Sequence, residues 1–261
     1  MSRRSLAGSR VLLTGASSGI GRALAHELAG RQAKLVAVAR RKPLLEQLAE
    51  EIRAVGAEIT FVEGDLTDER VRSAAVAAAQ RAYGGLDVLI NNAGVGALGL
   101  FENADEARLR SVMEINFFAP AALTRSSLPL LRHGAAPLVV NIGSILGYRA
   151  IPRMSEYCAS KFALTGLSES LSAEFGRLGI DVMLVSPGRT VSEFQQNLLA
   201  DRGESHWPGL PQTDVTTVAR RIIRGMERGR KRLFPNWSAK CMYWGNRLAP
   251  GLLDRFLAGR A

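Results

Sequence analysis

The 261-residue chain is 47% apolar and 22% charged, which provides for a sizeable core and excludes general disorder. Its formal net charge of +10 asks for an anionic partner: nucleic acid, a lipid surface or a phosphorylated small molecule. No apolar run approaches the ~20 residues of a membrane span, and Cys158 and Cys241 are too few for a disulfide framework and lack C-x-x-C spacing.

The basic start MSRRSLAGSR leads into a strand with no cleavable apolar stretch, so a cytoplasmic protein is expected. Apolar, β-branched runs then alternate with helical periodicity. RVLLT precedes a helix over Gly19 to Gly30, KLVAVA one over Pro43 to Val55, and EITFVEG one over Asp68 to Ala82. DVLINN precedes Asp105 to Leu131, PLVVNIG precedes Ser155 to Leu178, and DVMLVSPG ends the series. Strands that are hydrophobic throughout, without alternation, are covered on both faces. The expected fold is therefore α/β: a Rossmann-like, doubly wound parallel sheet with helices on both faces, in a single domain over 1–261. A barrel would need eight strand–helix units, and six or seven are present. After Pro187 a polar loop over 189–213 interrupts the rhythm, and the substrate is expected beneath it. A helix over Thr216 to Arg228, a short strand over Arg232 to Pro235 and a basic, aromatic extension over 236–261 complete the chain.

VLLTGASSGIGRALAHEL places Gly15, Gly19 and Gly21 between the first strand and first helix. Glycines there let backbone N–H groups approach a pyrophosphate whose charge the helix N-terminus favours, which makes a dinucleotide cradle. An acid at the end of the second strand would accept from the ribose 2′-hydroxyl of NAD, whereas arginine suits the 2′-phosphate of NADP. The strand ends AVARRK, so NADP(H) is expected with Arg40 as chief phosphate partner; the alternative is a solvated surface charge.

In EYCASKFALTG, Tyr157 and Lys161 stand at i and i+4 on one helical face. A phenol of pKa ~10 is a poor acid–base group at neutral pH, and a nearby ammonium would stabilise its anion. The bland alternative is a packed tyrosine beside a solvated lysine. The context is TGASSGIG, NNAG at Asn91 to Gly94, EIN ending at Asn116 and NIGS ending at Ser144. With YCASK, these motifs in this order resemble the short-chain dehydrogenase/reductase family over about the first 190 residues.

The resemblance implies a catalytic tetrad. Tyr157 would be general acid or base, Ser144 would hydrogen-bond the substrate oxygen, Lys161 would hold the nicotinamide ribose, and Asn116 would bind a relay water. It also implies a cofactor site made of Gly15, Ser17, Ser18, Gly19, Ile20 and Gly21, of Arg40, Asp65 and Leu66, of Asn92, Ala93 and Gly94, of Tyr157 and Lys161, and of Pro187, Gly188 and Thr190. One departure is the stretch PGRTVSEF: Arg189 and Thr190 are unusual after PG, and Ser192 is expected to replace the family's threonine.

His26, His133 and His206 are scattered without metal-ligand spacing, and no metal site is expected. Cys158 is read as a packed thiol. Leu164, Leu167, Leu171, Phe175 and Leu178 are read as a buried helical face; by resemblance this helix and the preceding one build a dimer interface, giving a homodimer or homotetramer.

From Asp201 onward there are 12 Lys/Arg against 5 Asp/Glu. The basic aromatic tail is open to three readings: an apolar wall of the active site, which is favoured, a weak association with an anionic membrane surface, or a subunit contact. Pro250-Gly251 would break a long helix there. No nucleic-acid-binding module accompanies the charge. The expected function is NADP(H)-dependent interconversion of a ketone or aldehyde with an alcohol on a hydrophobic (lipid-, steroid- or polyketide-like) substrate. The alternatives are a non-catalytic nucleotide sensor and a dehydratase or epimerase.

Overall fold

The computed structural model describes residues 4–191, 194, 198–199 and 211–258. The apolar runs become strands β1 (Arg10–Thr14), β2 (Lys34–Ala39), β3 (Ile59–Glu63), β4 (Val88–Asn91), β5 (Leu138–Ile142) and β6 (Asp181–Val185). Three two-residue strands follow: β7 (Thr190–Val191), β8 (Thr213–Asp214) and β9 (Arg232–Leu233). The main sheet runs β3-β2-β1-β4-β5-β6-β9 with every pair parallel, and β7 pairs with β8 apart from it. Its open edges at β3 and β9 exclude a barrel.

The pleat sorts side chains onto two cores. Val11 and Leu13 of β1 pack with α1 (Gly19–Ala29), α2 (Lys42–Ala54) and α7 (Val215–Glu227). Leu12 points the other way, toward α3 (Glu69–Tyr83), α5 (Ala119–Leu131) and α6 (Ser155–Gly176). Both faces are thus covered, which is why the strands carry no polar alternation. Asp68 and Asp214 accept from backbone N–H groups in the first turns of α3 and α7, and Asp105 does so for α4 (Glu106–Met113).

Two expectations are corrected. The helix expected over Asp105 to Leu131 is two helices, α4 and α5, joined by a π-helical turn at Glu114–Phe118. Pro120 has no N–H to give the Asn116 carbonyl four residues back, and the turn widens there. The leucine stripe of α6 is not its main buried face. Leu164 and Phe175 are buried, Leu167 and Leu171 are half-buried, and Leu178 lies beyond the helix end and is exposed. What α6 buries instead is polar: Glu156, Tyr157, Ser160, Lys161, Thr165 and Ser168.

The tail forms α8 (Trp237–Leu248) and α9 (Pro250–Ala258), broken at Pro250 as expected. Among the described residues, no helix is long and apolar enough to cross a membrane. Most of the 189–213 loop, with Ser192, His206 and Trp207, lies outside the described residues.

Strand order reverses between β1 and β4, and the elements meet most tightly there. A Cβ on Gly21 would lie 2.0 Å from the Gly15 carbonyl oxygen and 2.5 Å from Asn92 Nδ2. Gly21→Ala is therefore expected to destabilise the fold by about 2–3 kcal/mol through overpacking against backbone. Urea unfolding of wild type and variant measures this, and equal midpoints would contradict the packing described.

Candidate active site

Parallel α/β sheets bind ligands outside the carboxyl ends of their strands at such a switch point. Here Thr14, the last residue of β1, ties the two sides together. Its Oγ1 donates to the Ile90 carbonyl (3.3 Å) and accepts from the N–H groups of Asn92 (2.9 Å) and Ala93 (3.0 Å). Asn92 Nδ2 returns hydrogen bonds to the carbonyls of Thr14 (3.0 Å) and Gly15 (3.2 Å). Gly15 and Gly19 hold φ of +66° and +53°, and a Cβ on Gly15 would sit 2.9 Å from Ala93 Cα.

A cleft of about 350 Å³ opens above this turn. Gly15, Ser17, Ser18, Gly19, Ile20, Arg40, Asp65, Leu66, Asn92, Ala93, Gly94, Ser144, Tyr157, Lys161, Pro187, Gly188 and Thr190 all line it. Gly21 and Asn116 stand behind the lining, where they shape it.

At one end the Arg40 side chain is 67% exposed and lies 3.8 Å from Asp65. Arg41, which sequence reasoning passed over in favour of Arg40, also lines the cleft and donates to Ser17 Oγ at 3.3 Å. Its adjacency to Arg40 was the available signal. Two guanidiniums therefore flank the glycine turn.

At the other end, Ser144 follows β5 and Tyr157 and Lys161 rise from the first turns of α6. The 3-10 turn Ile145–Gly147 after Ser144 lies tight on α6: a Cβ on Gly147 would meet Thr165 Oγ1 at 2.6 Å and the Lys161 carbonyl at 2.7 Å. Ser144 and Tyr157 are thereby held in a fixed relation. Leu98, Ile145, Leu146 and Met154 pack about Tyr157 and Cys158, joined by the partly buried Phe194 and Leu198. These apolar lining residues come from separate segments with no common spacing, so nothing in the sequence announced them. Cys158 is packed as expected, with its thiol pushed up to about 11 by burial. Among the described residues, no cluster of His, Cys, Asp and Glu could hold a metal ion.

Burial governs the titration of the tyrosine–lysine pair. It raises the Tyr157 phenol above its ordinary range, and the neighbouring Ser144 hydroxyl opposes the rise. Lys161 Nζ lies 5.7 Å from the Tyr157 ring centre and donates to the Ile142 carbonyl at 3.0 Å. Burial lowers this ammonium from 10.5 to about 8. The Ser144 hydroxyl is thus a second group, beside the expected ammonium of Lys161, that eases Tyr157 ionisation.

Buried polar groups need partners, and α6 finds them in three places. Asn116 Nδ2 donates to Ser160 Oγ (2.9 Å) and to the Val95 carbonyl (2.8 Å), while its Oδ1 accepts from Val95 N (2.9 Å). Asn141 Nδ2 donates to Ser168 Oγ (2.9 Å), and Asn91 Nδ2 donates to Asn141 Oδ1 (2.8 Å). Glu156 pairs with Arg108 of α4, whose Nε donates to Oε1 at 2.8 Å, with side chains 6% and 1% exposed. Burial would raise the Glu156 carboxyl, but the hydrogen bonds from Arg108, its own backbone and Ser155 outweigh this and hold it low.

A glycine turn at the switch point with a tyrosine, serine and lysine at the far end of one cleft defines a nucleotide-dependent oxidoreductase class. The family model for short chain dehydrogenase matches residues 9–203, and the chain belongs to the short-chain dehydrogenase/reductase family. It is 34% identical over 261 residues to 11-beta-hydroxysteroid dehydrogenase A of Sesamum indicum, covering 95% of this chain and 74% of that one. Among solved structures, it superposes on a short chain dehydrogenase from Burkholderia cenocepacia in complex with NADP. The TM-score is 0.82 at 26% identity, covering 97% of this chain and 99% of the other. A Burkholderia phymatum family member in complex with NAD gives a TM-score of 0.86 at 24% identity, covering 96% of each.

The lowered Lys161 predicts a pH signature. Its folded value lies below its unfolded one, so the unfolded chain binds more protons between about 8 and 10.5 and stability rises with pH across that window. Below pH 8 both states are protonated and the cost of the buried charge is fully present. Relative to Lys161→Met, the wild type should gain about 2 kcal/mol between pH 8 and about pH 10 in urea unfolding. A pH-independent difference would contradict the assignment.

Proposed function

We propose that this chain is an NADP(H)-dependent oxidoreductase that interconverts a ketone or aldehyde with its alcohol on a hydrophobic substrate. The observation that carries this reading is the meeting, in one cleft, of Tyr157, Ser144 and Lys161 with a glycine turn flanked by Arg40 and Arg41. The residues present fit the dinucleotide: Gly15 and Gly19 adopt positive φ, and Gly21 leaves room where a Cβ would strike backbone. Gly15 to Gly21 would hold the diphosphate, Asp65, Leu66 and Asn92 to Gly94 the adenosine, and Lys161, Pro187, Gly188 and Thr190 the nicotinamide end. Arg40 and Arg41 would meet a 2′-phosphate, the feature that favours NADP(H) over NAD(H). When bound, the dinucleotide supplies or accepts the hydride.

This chain's own residues then manage the proton. In reduction Tyr157 donates to the carbonyl oxygen, and in oxidation its phenolate takes the hydroxyl proton. Ser144 hydrogen-bonds the same oxygen and steadies its developing charge. Lys161, buried and lowered toward neutrality, stabilises the phenolate and passes a proton onward. Both groups of the Asn116 amide are engaged by Val95 and Ser160. Its backbone carbonyl, to which Pro120 offers no N–H, is the atom suited to hold the relay water.

The apolar cluster about Tyr157 supports a hydrophobic substrate, as does the name of the sesame relative. The NADP complex of the Burkholderia cenocepacia relative agrees with the proposed cofactor. The inner face of α8, with Ala239, Met242 and Tyr243, packs on that cluster from behind the cleft lining, which supports the wall reading of the tail. Its outer face exposes Trp237, Trp244 and Leu248 beside Lys240 and Arg247, a composition suited to weak association with an anionic membrane surface. Exposed Phe118 and Phe162, at the start of α5 and on α6, support a homodimer or homotetramer built on those helices. Retention of Tyr157 and Lys161 weighs against a non-catalytic sensor.

Fluorescence titration should give NADPH binding at least tenfold tighter than NADH, a difference of ~1.4 kcal/mol. Arg40→Asp and Arg41→Asp should each erode that preference. Tyr157→Phe should bind NADPH normally and turn over no carbonyl compound. Preference for NADH would sink the phosphate assignment, and a fully active Tyr157→Phe would sink the chemistry.

A further inference from the structure

Arg189 is the residue for which the oxidoreductase reading has no use. It follows Pro187-Gly188, lines the cleft that holds Ser144 and Tyr157, and is half-buried. Its backbone is pinned in place. The fully buried Asn236 accepts from Gly188 N through Oδ1 (2.9 Å) and donates through Nδ2 to the Arg189 carbonyl (3.1 Å), which also accepts from Thr213 N (3.0 Å). Its guanidinium, by contrast, forms no ion pair among the described residues, and its Nε is buried with no hydrogen-bond partner. Among the described residues lining the cleft, Asp65 is the carboxylate present, and it faces Arg40 at 3.8 Å.

A guanidinium that lines a cleft with its Nε buried and no counter-charge among the described residues is completed by an anionic ligand. Its planar fork matches carboxylate and phosphate oxygens in pairs. The dinucleotide's own charges are met elsewhere in the proposed reading, by the glycine turn and by Arg40 and Arg41. We propose that Arg189 is the counter-charge for an acidic head group, carboxylate or phosphate, carried by an apolar carbonyl substrate. The enzyme's preferred substrates are then anionic amphiphiles, not neutral lipids. This inference rests on the oxidoreductase reading for the word substrate, and on Arg189 alone for the anion.

The test is thermal unfolding of the full chain with saturating NADPH, in the presence of decanoate, decyl phosphate or decanol, for wild type, Arg189→Gln and Arg189→Lys. At least one anion should bind wild type ten or more times more tightly than decanol, and the stronger of the two identifies the head group. Arg189→Gln should lose that advantage, Arg189→Lys should keep part of it, and NADPH affinity should be unchanged in both. Equal binding of decanol and both anions, no anion binding at all, or a tenfold weaker NADPH affinity in Arg189→Gln would overturn the proposal. The last outcome would assign the guanidinium to the cofactor. Turnover of an oxodecanoate against its methyl ester supplies the second arm: wild type should favour the acid in kcat/KM by about tenfold and Arg189→Gln should not. Because the binding arm needs no turnover, a wild type inactive on both ketones but selective for the anions would sink the oxidoreductase reading and leave the anion site standing.

Discussion

Helix α6 must bury a polar face, and much of the reacting end follows from how it does so. A helix that placed leucines against the sheet could slide or rotate at small cost. One that buries Glu156, Tyr157, Ser160, Lys161 and Ser168 can sit in few positions, because Glu156 has its partner in α4, Ser160 in the π turn, and Lys161 and Ser168 theirs in β5. Arg108 of α4, Asn116 of the π turn, Asn141 of β5 and the Ile142 carbonyl together fix its rotation and height. A partly satisfied network would be worse than an apolar one, so the arrangement specifies a single register. That register points Tyr157 and Lys161 into the cleft beside Ser144.

The same logic joins the two ends of the cleft. Thr14 and Asn92 tie the end of β1 to the end of β4 at the strand-order switch. Two residues later the chain reaches Gly94, where a Cβ would lie 2.9 Å from Asn116 Oδ1 and 3.6 Å from Lys161 Nζ. A continuous line of close packing therefore runs from the glycine turn to the buried lysine. Positions along it tolerate little added volume, which makes the separation between nucleotide turn and reacting tyrosine a property of the backbone and not of flexible side chains.

The strands and most helices were legible because parallel strands covered on both faces leave uninterrupted apolar runs, and because glycines and aspartates mark the turns and caps. The cradle and the tyrosine–lysine pair were legible because backbone approach and helical spacing write themselves into local sequence. The break between α4 and α5 was hidden, since the residues that flank the turn, Met113, Glu114, Phe118 and Ala119, keep helical dihedrals; Pro120 was its one mark. The buried face of α6 is not legible from leucine spacing, because the partners that bury its serines and lysine lie far away in sequence. Arg41 was overlooked for its neighbour, and the apolar lining from Leu98 to Leu198 is assembled by the fold from segments with no shared pattern.

Among the described residues, the cleft lining carries Arg40, Arg41, Lys161 and Arg189 with Asp65, a local basic excess suited to an anionic ligand. The central claim is that Tyr157 and its neighbours complete a hydride transfer from a bound dinucleotide to a carbonyl carbon. The most direct measurement supplies NADPH deuterated at the reactive nicotinamide carbon together with a panel of apolar ketones and oxo acids, and follows the label by mass spectrometry. The account predicts deuterium on the carbinol carbon of at least one product, with none formed by Tyr157→Phe. Carbinol without label, or no product from any ketone or acid in the panel, would contradict it.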